Sequence, residues 1–330
     1  MIQLSSLPAV ALTDCDQCRD VAHRTRETEG RMTIQDIATL PPPLTTNARF
    51  RRFLHSPWQV KFLVAVRRVK NWLGGFPSPI PLPFGIWWLA ERSDLDHVLS
   101  TRGFEKAETN FVQRLLKPGA IVLDVGAHHG LYTLLASKLV GSTGRVIAFE
   151  PSPRELNRLK RHIRVNSCSN VQVCGFALGK ITKRETLHLV DGTEDWCNSL
   201  RAPAVQGRCT QIEIEVKSLD EFLKESPLPA VDFVKLDVEG GEIDVLTGAV
   251  QLLRSAPRPI LVVEVEDIRT RPWGYRASDI VRFLAEIGYH WYSLSEDGLP
   301  HPIASDLEKY DANLVAVPQE QVLRFEKEIT

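Results

Sequence analysis

The sequence predicts a doubly wound α/β fold, a mostly parallel sheet of about seven strands with an N-terminal helical extension ahead of it. Strand-like runs alternate with stretches of helical apolar spacing from about residue 120 to residue 317, the pattern that βαβ units leave in a sequence. Glycines follow the first of these strands within a few residues, where a strand must turn tightly into a helix. The 330 residues, 43% of them hydrophobic, suffice to bury a sizeable core around such a sheet.

The first unit runs from Ala120 to Glu150 as AIVLDVGAHHG, LYTLLASKLVGSTG and RVIAFE. Ile121, Val122 and Leu123 make an apolar strand that stops at Asp124, Gly126 and Gly130 bracket a turn, and Leu131, Leu134, Leu135 and Leu139 carry helical spacing. Glycines at such a turn let the backbone approach a ligand, and the free N–H groups of a helix start attract polar groups. A dinucleotide fold would show Gly-x-Gly-x-x-Gly here, but its first position is Asp124. A carboxylate repels a pyrophosphate and suits an ammonium. Glu150 ends the second strand, where a carboxylate can accept from both ribose hydroxyls. Together the two acids describe a ligand with a ribose and a cationic amino-acid end, which S-adenosylmethionine satisfies.

The later elements follow in order. Ser152, Pro153 and Glu155 read as a capped helix start with a capping box. Val171 to Leu178 reads as the third strand, whose end reaches the adenine in folds of this class, with Phe176 and Ala177 expected to flank the base. Thr186 to Val190 and Gln211 to Val216 alternate as a strand pair, and the loop between them offers Asp195, Trp196 and Asn198 to a substrate. Ser218 and Glu221 form a second capping box. In the strand Val231 to Val238, alternation sets Lys235, Asp237 and Glu239 on one side. Two carboxylates and an amine cannot be buried there without pairing. Gly240 and Gly241 end that strand, Ile260 to Val265 brings Glu264, Glu266 and Asp267 to the same edge, and a helix over 277–287 leads to strands Tyr289 to Leu294 and Ala312 to Val317. The last two are expected to be antiparallel.

Four of these stretches, DVGAHHG, FEPSP, VKLDVEGGE and ILVVEVE, in this order and spacing, resemble the FkbM-type family of S-adenosylmethionine-dependent methyltransferases over about Phe104 to Val317. The family usually carries Asn after the GA pair, where this chain has His128. The resemblance implies a Rossmann-like class I methyltransferase sheet and an acceptor hydroxyl on a sugar, polyketide or similar metabolite. It assigns the cofactor to Asp124, Gly126, His128, Gly130, Glu150, Phe176 and Ala177. Asp237, at the carboxyl end of a central strand, then stands beside the sulfonium as base or metal ligand, tuned by Lys235 or Glu239. Many related methyltransferases hold magnesium with an acid after the fourth strand and acids after the fifth; this chain has that many acids, which makes magnesium possible, but the sequence does not demonstrate their geometry. Glu105 and Glu108 could close over the cofactor's amino-acid end or serve only as first-turn charges.

The formal net charge of −1 argues against a general positive field for nucleic acid. Six cysteines without framework spacing read as reduced, hence a cytoplasmic protein, and Cys15-x-x-Cys18 is half a zinc pattern without its second pair. Residues 1–40 read as a disordered tail without a secretory signal, 41–110 as a cap, 111–318 as the cofactor-binding domain and 319–330 as a C-terminal helix or tail. Trp58 to Trp72 has the spacing of a basic amphipathic helix, and no segment is long enough to span a bilayer. Two other functions share these features: a nicotinamide-dependent oxidoreductase, against which Asp124 counts, and a non-catalytic cofactor-binding partner protein, which would tolerate loss of Asp237.

Overall fold

The computed structural model describes residues 78–90, 105–190, 198–202, 209–307 and 309–329. The chain divides into units Met1–His55 and Ser56–Thr330, and all described residues belong to the second. The cysteine pair Cys15 and Cys18, the basic stretch Trp58 to Trp72, and Asp195 and Trp196 lie outside the described residues.

Over residues 78–90 the N-terminal extension is a hairpin rather than an α-helix. Strands β1 (Ser78–Pro81) and β2 (Trp87–Ala90) pair antiparallel around a 3-10 turn at Pro83–Gly85. Apolar Leu82, Ile86 and Trp88 anchor this hairpin in the core, which an extended, proline-spaced run can do where a helix cannot form. Helix α1 (Lys106–Leu115) then leads into the main sheet, burying Phe111 and Val112.

The sheet begins with β3 (Ile121–Val125), α2 (Leu131–Val140), β4 (Arg145–Phe149), α3 (Pro153–Val165) and β5 (Val171–Cys174). It continues through α4 (Leu219–Glu225), β9 (Phe233–Leu236), α5 (Glu242–Thr247), α6 (Val250–Arg254), β10 (Ile260–Glu266), α7 (Asp267–Thr270) and α8 (Ala277–Glu286). Antiparallel strands β11 (Tyr289–Leu294), β12 (Pro300–Ile303) and β13 (Asp311–Pro318), with helix α9 (Val322–Ile329), complete it. The strand order is β12-β11-β13-β10-β9-β3-β4-β5, parallel from β10 to β5. Alternate residues of β3 face opposite layers: Val122 joins Leu134 and Leu135 of α2, whereas Leu123 joins Ile280 and Leu284 of α8. This two-sided covering makes the fold doubly wound.

Four expectations are corrected. The sheet has eight strands, because Pro300 and Pro302 hide an edge strand, the one place in a sheet where missing N–H groups are tolerated. The run Val171 to Leu178 is two strands: β5 ends at Cys174, and β6 (Ala177–Leu178) joins a second sheet with β8 (Cys209–Lys217) and β7 (Lys183–Val190). The capping box at Ser152 does not form. Its hydroxyl donates to Glu155 instead of accepting a helix N–H, and its own N–H donates to Glu150 Oε1 at 2.8 Å. At Ser218 half the box forms: its hydroxyl accepts from Glu221 N–H, while the Glu221 carboxylate accepts from Thr182. Among the described residues no helix is long and apolar enough to cross a membrane.

Candidate active site

Chain order reverses between β3 and β9, so their carboxyl ends open a crevice of the kind where doubly wound sheets bind ligands. A cavity of about 460 Å³ lies there, roofed by the small β6-β8-β7 sheet and the segment around Ser199. That volume suits a ligand of nucleoside size.

The glycine turn is built by the protein around itself. Gly126 N–H and Ala127 N–H both donate to Phe149 O, and Asp237 N–H donates to Val125 O at 3.0 Å. Gly126, at φ +84°, faces the Asp237 carbonyl so closely that an added Cβ would lie 1.7 Å from it. The glycine is therefore required by the approach of β9's end as well as by any ligand. His128 holds φ +49°, a left-handed conformation that Asn, Asp and His enter more readily than other side chains. That property is shared by the family's usual Asn.

Asp124, Gly126, His128, Gly130, Glu150 and Ala177 all line the cavity. Phe176 is not among the lining residues; it packs against Phe149 and Phe222. Glu150 accepts from His128 N–H at 2.7 Å through Oε2 and from Ser152 N–H through Oε1, tying the turn to the end of β4. Each oxygen retains a lone pair for a further donor. Burial pushes Glu150 up to about 8, against the pull of these two N–H groups. Asp124 is 2% exposed and accepts from the Thr133 hydroxyl, and burial raises it to about 6.

The second cluster lies on one face of β9, β10 and β13. Register pairs Val262 with Lys235 and Asn313 with Glu264, so Lys235, Asp237, Glu264 and Asn313 converge. Lys235, 1% exposed, donates to Asp237 Oδ2 at 3.0 Å and Asn313 Oδ1 at 2.8 Å. Burial disfavours its charge, but Asp237, Glu105 and Glu264 outweigh burial and hold its pKa above the usual lysine value. Arg269 of α7 pairs with Glu239 at 3.0 Å and lies 3.5 Å from Glu266 and 3.9 Å from Glu264. Burial pushes Glu239 up to about 8 and Glu264 well above the carboxylate range. Oε2 of Glu264 is buried without a hydrogen-bond partner among the described residues.

Carboxylate oxygens of Asp237, Glu239 and Glu264 lie within 4.8 Å of one another, the donor type magnesium prefers. Arg269 and Lys235 already face these oxygens, so a metal would have to displace Arg269 from Glu239 and Glu264 to bind there. Asn198 lines the cavity, but its Oδ1 accepts from Val190 N–H. Asn313, Arg269, Tyr132 and Trp88 are cavity residues that sequence reasoning missed. Two of them had a nearby signal: Arg269 lies two residues beyond the acidic run Glu264 to Asp267, and Tyr132 two residues after Gly130.

A doubly wound sheet with a glycine turn, a buried acid ending the second strand and a charged cluster ending the central one defines an α/β protein with a ligand crevice at its topological switch point. The methyltransferase FkbM domain matches residues 124–291, a little over half of the chain, and the chain belongs to that family. It is 31% identical over 147 residues to Methyltransferase 1 of Beauveria bassiana, an alignment covering 39% of this chain and 58% of that relative. To the AMB antimetabolite synthetase AmbE of Pseudomonas aeruginosa it is 27% identical over 222 residues, 56% of this chain and 10% of that one. To the 2-O-methyltransferase NoeI of Sinorhizobium fredii it is 26% identical over 160 residues, 45% of this chain and 65% of that one. The chain thus spans less than two thirds of each of these relatives.

Proposed function

We propose that this chain transfers a methyl group from S-adenosylmethionine to a hydroxyl on a sugar, polyketide or related metabolite. The observation that carries the reading is the buried Glu150 carboxylate at the end of β4, beside a turn that begins with Asp124 where a dinucleotide fold needs glycine. Family membership supports methyl transfer, and the name of the 2-O-methyltransferase relative supports an oxygen acceptor.

In this reading Glu150 receives the ribose hydroxyls, Ala177 lies along the adenine, and Asp124 with the Gly126 to Gly130 turn receives the amino-acid end. S-adenosylmethionine supplies an electrophilic methyl on a sulfonium. Asp237, held in place by Lys235, whose ammonium also donates to Asn313, accepts the acceptor's hydroxyl proton. Arg269 keeps Glu239 paired while the acceptor enters beneath the small sheet.

Thermal denaturation with S-adenosylhomocysteine and with NAD tests the cofactor, since a ligand at 100 times its dissociation constant adds ~2.7 kcal/mol. Labelled S-adenosylmethionine with a cell extract, read by product mass spectrometry, then tests the acceptor. A melting shift with NAD and none with S-adenosylhomocysteine would reject the reading, and a labelled product methylated on nitrogen or carbon would reject the oxygen acceptor.

A further inference from the structure

Glu105 has no part in the reading above, yet its backbone and side chain are both unusual. It stands as the residue before α1 at φ +45°, in the left-handed region that residues with a Cβ enter at a cost. That cost is not repaid by capping, because its side chain accepts no N–H of the helix. The carboxylate is turned instead to the cavity, where the Tyr132 hydroxyl donates to Oε2. Tyr132 is the second residue of α2, so Glu105 lies over the helix start that follows the glycine turn.

The charges around it do not balance. Glu105, Asp124 and Asp237 share the cavity with Lys235, which is already bonded to Asp237 and Asn313; of the other cations lining it, Lys183 pairs with Glu185 and Arg269 with Glu239, and Lys180 forms no salt bridge with Glu105. Among the described residues no cation forms a salt bridge with Glu105. Lys235 offsets the Glu105 charge only from a distance, because its hydrogen bonds go to Asp237 and Asn313, so a cation that the ligand brings completes the arrangement. Asp124, which faces the same end, is 2% exposed with Oδ2 taken by Thr133, so it leaves room for a second carboxylate on the ammonium.

We propose that Glu105 anchors the α-ammonium group of S-adenosylmethionine, with Tyr132 holding its carboxylate in position. The proposal rests on the S-adenosylmethionine reading and adds to it a binding residue from outside the glycine turn. The contact is a charge-assisted hydrogen bond to an amino group, with no contact to the nucleoside.

Titration calorimetry on the full chain tests it with two probes, S-adenosylhomocysteine and methylthioadenosine, which keeps the nucleoside and the thioether but lacks the amino-acid end. Glu105→Gln, similar in shape and without charge, is expected to weaken S-adenosylhomocysteine about 10- to 100-fold and to leave methylthioadenosine within about twofold. Equal losses for both probes overturn the anchor, because Glu105 would then only shape the cavity, and no loss for either overturns it as well. Should the variant not fold, the wild type is titrated with S-adenosylhomocysteine and its deaminated analogue. A matching loss for the analogue supports the anchor, and equal affinities overturn it. A wild-type chain that binds neither of the first two probes overturns the cofactor reading itself, a result distinct from failure of the anchor alone.

Discussion

Lys235 decides what the acids around it can do. Its ammonium, fixed between Asp237 and Asn313, keeps one carboxylate oriented toward the cavity at the end of the central strand. In Asp237→Asn the amide oxygen can still accept from Lys235, so cofactor affinity is expected to stay nearly intact while turnover falls by ~10²–10⁴. Single-turnover assays with labelled cofactor measure both quantities. Because Arg269 and Lys235 already oppose the acid cluster, a chelator is expected to leave wild-type turnover unchanged. Loss of turnover on chelation, restored by magnesium, would mean that a metal displaces Arg269 from Glu239 and Glu264. Normal turnover by Asp237→Asn would move the proton transfer to another group, and Glu264, with its unpartnered Oε2, is the first to examine.

Among the elements, the turn between β3 and α2 is the most constrained. Its glycines were legible from spacing alone, but the reason for them was not, because Gly126 meets the carbonyl of Asp237, 111 positions on in the sequence. Gly126→Ala would set a Cβ against that carbonyl at a φ of +84°, so the ends of β3 and β9 must separate or the turn must rebuild. The expected cost is ~2–4 kcal/mol of stability, together with loss of S-adenosylhomocysteine binding. Denaturant unfolding and calorimetry check the two parts, and a variant of wild-type stability would show that the close approach is not needed. The same distinction between local and distant causes explains what the elements revealed. Alternation put Lys235 and Asp237 on one side of a strand because they are two residues apart. Asn313 reaches them only through the antiparallel register of β13 on β10, for which no local pattern exists. Ser152 had the right residue and spacing for a capping box, but Glu150 captures its N–H and Glu155 its hydroxyl.

At the scale of the molecule, a doubly wound sheet gathers the carboxyl ends of parallel strands into one crevice, and this chain has placed acids at nearly every such end. The strand and helix alternation made that architecture readable; the strand count was not, since a proline-bearing edge strand and a strand that changes sheets both defeat periodicity. The concentration of acids has a consequence for pH. Burial raises Asp124 to about 6, Glu105 to about 7, and Glu150 and Glu239 to about 8, against ordinary values of 3.8 for the aspartate and 4.5 for the glutamates. Groups raised in this way bind more protons folded than unfolded, so their contribution to stability is fully present below their unfolded values and is lost as pH climbs through the folded ones. Buried His129, held neutral far below its ordinary value of 6.5, gains stability as pH rises to about 6.5 and opposes the carboxyls there, so the ligand-free chain is expected to lose stability chiefly from about pH 6.5 to pH 8. Glu185 and Glu320, which cations hold below the usual carboxylate range, act oppositely and give a decline below about pH 4.5. A cationic ligand favours the ionised carboxylates, so the melting shift with S-adenosylmethionine should grow over the same interval in which the free chain weakens, and binding should release protons. Melting curves from pH 4 to pH 9, with and without ligand, and calorimetry in buffers of different ionisation enthalpy read these effects. A free chain whose melting temperature is level from pH 6.5 to pH 8, with no proton release on binding, would mean that the cavity acids stay ionised throughout.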